Sequence, residues 1–264
     1  MGTANANAIL VLLIIILIAQ FALVYIGIHL PLGQNNLLAD VVIALLVTDL
    51  GSALFHWFED AYLDYNIHIP GLPLVSAIAK ENDMHHYRPR MIVYETYAAN
   101  MRGTTVVSIV YAALVLWIDH VRKIETPMRR LILVLAFSCV ANLIHRYSHE
   151  KDCERPRIVT WLQSWLLVSR EEHRVHHSTE QHKRFGVFLK HANCVYDSIG
   201  IWRGLEHVLK LFGIHPNHKS FYIPDYDDDV ILSDEWNCQQ HSEHELQEWK
   251  NNLQQMHDLR RHSD

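Results

Sequence analysis

The densest ligand chemistry in this chain is the stretch Glu172-His173-Arg174-Val175-His176-His177. Positions i, i+3 and i+4 share one face of a helix, so this H-x-x-H-H box gathers three imidazoles on one side. Charged, they would repel one another. Neutral, each holds out a lone pair with nothing to accept it. A bound metal ion resolves both problems. The box has companions: His56, the pair His85-His86, and His145 with His149. In Asn142-Leu143-Ile144-His145-Arg146-Tyr147-Ser148-His149, the residues Asn142, His145 and His149 again fall on one helical face. Taken singly, His56 reads as a buried helix-end histidine and His85-His86 as a loop pair. Together, eight histidines lie beside long apolar segments, where ionisable side chains are functional candidates by default.

The donor types restrict the metal. Zinc takes three or four ligands, fewer than eight histidines supply, and the H-E-x-x-H pattern of zinc peptidases is absent. Calcium and magnesium prefer oxygen donors. No His-Cys-Met set favours copper. The Glu-x-x-His pairs of soluble di-iron bundles are also missing. Two irons held mainly by imidazole fit the count, and such a site suits O2 activation against an unactivated C–H bond.

The elements that must position these residues are mostly apolar. The chain has 264 residues, 50% of them hydrophobic, with 20 histidines and a formal charge of −6. That charge argues against a nucleic-acid partner. Ala8–Leu30 lacks any Asp, Glu, Lys or Arg, which is long enough to span a bilayer. It has no basic residue before it, so it reads as a retained anchor rather than a signal peptide. Further spans are expected at about 37–58, 104–118 and 131–144, the last two short for a bilayer. Ala61–Gly103 reads as a long polar connection. Trp161–Val168 is too short to span, and Val195–Phe212 reads as an amphipathic helix at the interface.

The expected fold is therefore an all-α, multi-pass bundle of about four spans. A histidine-rich helical cap from 61–103 and 145–214 completes a domain over 1–214, and a polar, acidic tail runs from 215 to 264. Four spans place every histidine box on one membrane face. The two inter-span connections tie at four Lys or Arg each, and fifteen after the fourth span favour a cytosolic C-terminus. Cys139, Cys153, Cys194 and Cys238 are scattered and read as reduced thiols.

Four stretches resemble the membrane lipid-desaturase family that includes the Kua-type plasmanylethanolamine desaturases. They are TDLGSALFHWFED at 48–60, YETYAAN at 94–100, NLIHRYSH at 142–149, and Ser169–Glu206 with REEHRVHH and IGIWRGLE. The resemblance implies a four-span fold with a cytosolic cap and a di-iron centre. It implies O2 as co-substrate, a phospholipid substrate, a cytochrome b5-type electron donor and residence in the endoplasmic reticulum. The implied reaction turns an alkyl ether phospholipid into a 1-alkenyl plasmalogen. The implied ligands are His56, His85, His86, His145, His149, His173, His176 and His177, with Asp60 and Asn142 as second-shell or water-bearing groups. The family has a further histidine where this chain has Met91; His182 and His191 are the candidates to replace it. Alternatives are another acyl-lipid desaturase (the trans-3 phosphatidylglycerol type), a lipid hydroxylase, a zinc-dependent membrane hydrolase and a non-enzymatic metal-binding membrane protein.

Overall fold

Four long apolar helices frame the computed structural model, which describes residues 6–33, 36–63, 67, 69, 71–87, 89–178 and 182–217. They are α1 (Ala6–His29), α2 (Leu37–Tyr62), α5 (Tyr97–Arg122) and α6 (Met128–Tyr147), each long and apolar enough to cross a membrane. Short helices follow α2 and α6: α3 (Pro73–Tyr87) and α4 (Met91–Tyr94), then α7 (Arg157–Trp165), α8 (Arg170–Ser178), α9 (Lys190–Ser198) and α10 (Ile201–Leu211). The described residues contain no strand; one antiparallel bridge joins Leu167 to Leu189.

Local sequence sets the helix ends. Asn36 caps α2, its side chain accepting from the Leu38 and Ala39 amides, and Thr96 caps α5 by accepting from Ala99. α5 stops at Lys123, which turns into the left-handed region. α1 buries Ile9, Leu12, Ile16 and Gln20 and exposes Val11, Ile14, Ile15 and Ile18, the side that lipid would cover. Gly27 lets α1 approach α2 closely: a Cβ there would lie 2.3 Å from Val47 Cγ2. Polar groups fasten the spans to one another. Gln20 Nε2 donates to the Gly51 carbonyl at 2.7 Å, and the Tyr111 hydroxyl donates to that of Leu17 at 3.1 Å. Such bonds hold helices together where neighbouring lipid offers no polar partner.

The two ends of the bundle differ. At one end α1 turns into α2 and α5 into α6. There the buried Arg130 donates to Asp40 and to the carbonyls of Gly27, Ile28, Leu30 and Leu32, closing the open C-terminal turn of α1. Asp119 accepts from Tyr25 at 2.9 Å and from Thr126 at 2.7 Å. All the short helices collect at the opposite end. Trp57, Phe58 and Tyr62 of α2 share a core there with Phe185, Phe188, Leu189, Tyr196 and Trp202.

The structure revises several sequence expectations. The third and fourth spans extend beyond 104–118 and 131–144 at their ends, to 26 and 20 residues. Their ends stay helical because Asp119 and Arg130 find buried partners. The cap segment 61–103 is largely helical, as expected, and α3 carries His85-His86 on its last turn. Val195–Phe212 is two helices rather than one, broken at Gly200, whose φ of 66° suits glycine. Most of the acidic tail, from 218 onward and with Cys238, lies outside the described residues. Cys139, Cys153 and Cys194 are free thiols.

Candidate metal centre

The histidine-bearing segments meet at the cap end of the bundle. His56 and Asp60 come from the last turns of α2, and His85 and His86 from the last turn of α3. His145 comes from the end of α6, His149 from the turn beyond it, and His173, His176 and His177 from α8. No short segment could place these ligands in one pocket. Two membrane-crossing helices and two cap helices must converge.

The ligand atoms form two groups. One holds His85, His145, His149, His173 and His177; the other holds His56, Asp60, His86 and His176. Within each group the atoms lie within 4.8 Å of one another. In the first, His145 Nε2 sits 3.2 Å from His85 Nε2, 2.8 Å from His173 Nε2 and 3.2 Å from His149 Nε2. His177 Nε2 is 3.0 Å from His173 Nε2. In the second, Asp60 is the hub. Its carboxylate lies 2.8 Å from His86 Nε2, 3.1 Å from His176 Nε2 and 3.4 Å from His56 Nε2. The groups adjoin: the His86 and His177 rings are 4.6 Å apart, and those of His56 and His145 are 5.4 Å apart.

Burial makes this arrangement costly without a ligand. His173, His176 and His177 are at most 2% exposed, and His56, His86, His145 and His149 are also buried. His56 Nε2, His176 Nε2 and Asp60 Oδ2 converge yet make no hydrogen bond. Buried polar atoms without partners are rare and destabilising. Backbone carbonyls orient the outer ring nitrogens. His56 Nδ1 faces the Phe185 carbonyl at 3.0 Å, and His176 Nδ1 faces that of Lys183 at 2.6 Å. A ring that donates through Nδ1 presents the Nε2 lone pair inward, as a metal requires. Burial, and then the neighbouring imidazoles, hold His85, His149, His173 and His177 well below the usual histidine range. They are neutral near pH 7 and available as ligands. Nine donors in two adjoining groups fit a pair of metal ions.

A layer of ion pairs braces the turn that carries His149. Arg90 donates to the His149 carbonyl at 3.2 Å and forks onto the Glu154 carboxylate at 2.8 and 3.2 Å. Arg146 pairs with the buried Glu150 at 2.7 Å, donates to the Glu95 carbonyl and lies over the Tyr97 ring. Nothing in the spacing of the sequence announced either arginine.

All eight histidines singled out from sequence fall in the two groups. Asp60, expected as an additional ligand or second-shell group, sits among the candidate ligand atoms. The signal for it was local: His56 and Asp60 are i and i+4 on α2, one face at the end of an apolar helix. Asn142 turns away and donates to the Asn100 carbonyl at 2.9 Å. His182 and His191 are exposed and belong to neither group. The carboxylate of Asp60 is the ninth candidate donor in the two groups.

Four spans and a buried two-group histidine centre define a multi-pass membrane protein with side chains that could hold metal ions. The chain belongs to the lipid desaturase family, whose domain model matches residues 45–219. It is 30% identical over 190 residues to a fatty acid desaturase 4-like 2 protein, chloroplastic, of Arabidopsis thaliana, covering 69% of this chain and 62% of that one. It is 25% identical over 186 residues to a probable fatty acid desaturase of Acanthamoeba polyphaga mimivirus, covering 69% and 87%. It is 26% identical over 189 residues to plasmanylethanolamine desaturase 1 of Mus musculus, covering 69% and 66%. The chain thus spans less than two thirds of the length of the plant and mouse relatives. No solved structure matches it.

Proposed function

We propose that this chain is an O2-dependent di-iron lipid desaturase that forms the 1-alkenyl ether bond of a plasmalogen from an alkyl ether phospholipid. The observation that carries the reading is the pair of adjoining ligand groups, five imidazoles beside three imidazoles and a carboxylate. Five imidazoles exceed what zinc takes, and histidine with carboxylate is a donor set suited to non-haem iron. His85, His145, His149, His173 and His177 would hold one iron; His56, Asp60, His86 and His176 would hold the other. Bound iron supplies O2 activation. The substrate loses two hydrogens from adjacent carbons, and O2 with two donor electrons and two protons becomes two waters.

The protein's own residues do the rest. The Phe185 and Lys183 carbonyls fix two rings, and Arg90 fixes the His149 turn. The aromatic core around Phe185 and Trp202 walls the second group from water. The centre lies at the cap end of the spans, where a phospholipid presents the carbons near its headgroup. We place this face in the cytosol and the protein in the endoplasmic reticulum, with cytochrome b5 as donor.

The ether-lipid substrate draws support from the mouse relative's name, and a second reading from the plant relative, which is the more similar in sequence. That reading is desaturation of an acyl chain. Expression in plasmalogen-deficient cells separates the two. Acid-labile vinyl-ether lipids are expected to return; a new acyl double bond without them would replace the first reading by the second. Metal analysis of the purified protein should find two irons per chain, and zinc in their place would overturn both.

A further inference from the structure

Beside the metal centre runs a file of buried aromatic rings that ligand geometry does not require. Phe185 lies edge-on to two ligand rings, 5.4 Å from His176 and 6.1 Å from His56 between centroids. Trp202 packs against Phe185 at 5.2 Å, and Tyr196 packs against Trp202 at 5.9 Å. Phe185 and Trp202 are at most 2% exposed, and Tyr196 is also buried. The file ends on a carboxylate: the Tyr196 hydroxyl donates to Asp49 Oδ2 at 2.9 Å. Asp49 is fully buried in α2, seven residues before His56, and its other oxygen accepts from the Leu189 amide at 2.7 Å. A buried phenol needs only some acceptor, and a backbone carbonyl would serve. A carboxylate inside an apolar helix is a costly choice for packing alone. It differs from a carbonyl in being able to take the proton.

We propose that Tyr196, Trp202 and Asp49 form a one-electron relay that protects the metal centre when O2 reacts without lipid in place. The inference rests on the iron reading above. Tyr196 gives up one electron, which passes by way of Trp202 and across Phe185 to the oxidised iron centre. The phenolic proton moves along its hydrogen bond to Asp49. One O–H bond breaks at Tyr196 and one forms at Asp49; the centre is reduced by one electron, and Tyr196 is left as a neutral radical. The haem-protein donor that serves the centre then returns an electron to Tyr196, and Asp49 returns the proton. Without the relay, the same oxidising equivalent falls on the ligand histidines.

Iron-loaded full-length protein, lipid-free in detergent, is exposed to O2 and frozen for electron paramagnetic resonance. Parallel samples are digested to map oxygen adducts on the ligand histidines. The wild type is expected to show a tyrosyl radical that Tyr196→Phe abolishes, with histidine adducts rising in that variant. Asp49→Asn keeps one oxygen to accept from the Leu189 amide and meets the Tyr196 hydroxyl with an NH2 group, which takes no proton, so it should retain iron and lose the radical. Trp202→Phe should lower radical yield likewise. A signal that persists in Tyr196→Phe, or iron-loaded wild type with no aromatic radical, overturns the relay and leaves the di-iron reading standing. Should Tyr196→Phe fail to bind iron, an undiminished radical in Asp49→Asn overturns it equally. Protein that binds no iron overturns the di-iron reading itself.

Discussion

Both ends of the bundle bury charge and polar groups, and they satisfy them in opposite ways. At the loop end, Arg130 meets Asp40 and four backbone carbonyls, and the arrangement is complete within the chain. At the cap end, ligand atoms point at one another, and His56 Nε2, His176 Nε2 and Asp60 Oδ2 find no hydrogen bond. Burial alone therefore does not mark a functional site. The informative sign is buried polar atoms that converge without partners. Among the described residues, the loop end leaves one such atom, His29 Nε2 at 3.1 Å from Asp119, whereas at the cap end three of them converge on one point among further imidazoles.

The strongest way to break this comparison is His176→Ala. It should reduce turnover to background and iron from two per chain to about one, since a metal site rarely survives loss of one ligand. Full iron retention by plasma mass spectrometry would undo the two-group assignment. Acid probes the same end in metal-free protein. His85, His149, His173 and His177 are held low by burial, so the unfolded chain binds more protons below its ordinary histidine pKa, about 6.5. Stability should fall with pH below that value, by about 1.4 kcal/mol per pH unit for each such histidine until its folded pKa is reached. Bound iron should flatten the slope. A metal-free protein whose melting is indifferent between neutral pH and pH 5 would contradict the burial.

Arg130→Met tests the loop end. Asp40 is then left with the half-exposed Arg129 alone and four backbone carbonyls lose their donor, which should cost up to about 3–5 kcal/mol, seen as a lower melting temperature, while the folded fraction keeps its iron. Loss of iron in proportion would mean that the two ends are not separable. Asp49→Ala loosens the seam between them. It strands the Leu189 amide and the Tyr196 hydroxyl, at about 1–3 kcal/mol for each buried group. Faster amide exchange confined to 185–196 is the expected signature. Thr96→Ala removes the cap of α5 beside the Glu95 and Tyr97 contacts of Arg146 without touching a ligand, and a loss of about 1 kcal/mol with unchanged iron content is expected.

Much of the centre was legible because its signals are local. H-x-x-H-H and the Asn142–His149 stretch are face-sharing patterns, and period alone reveals them. Alternation of apolar and polar runs located four spans. The ends of α5 and α6 were not legible, because Asp119 and Arg130 look like helix-ending charges until their partners on α1 and α2 are in place. The place of Asp60 was open in the sequence between ligand and second shell. A carboxylate four residues after a histidine has many meanings, and only α3 and α8 arriving beside it select one. His182 and His191 show the converse: histidines close to a box in sequence can still face solvent.

By itself the sequence determined that this chain builds an α-helical membrane bundle with its histidines at one end, because helical period and apolar run length are properties of consecutive residues. Only the tertiary structure decided how nine donors divide into five and four, which carbonyls orient the rings, and that Asp60 stands at the hub. Those choices depend on the meeting of α2, α3, α6 and α8, segments up to a hundred and twenty residues apart. No local pattern records the distance between side chains that only folding brings together.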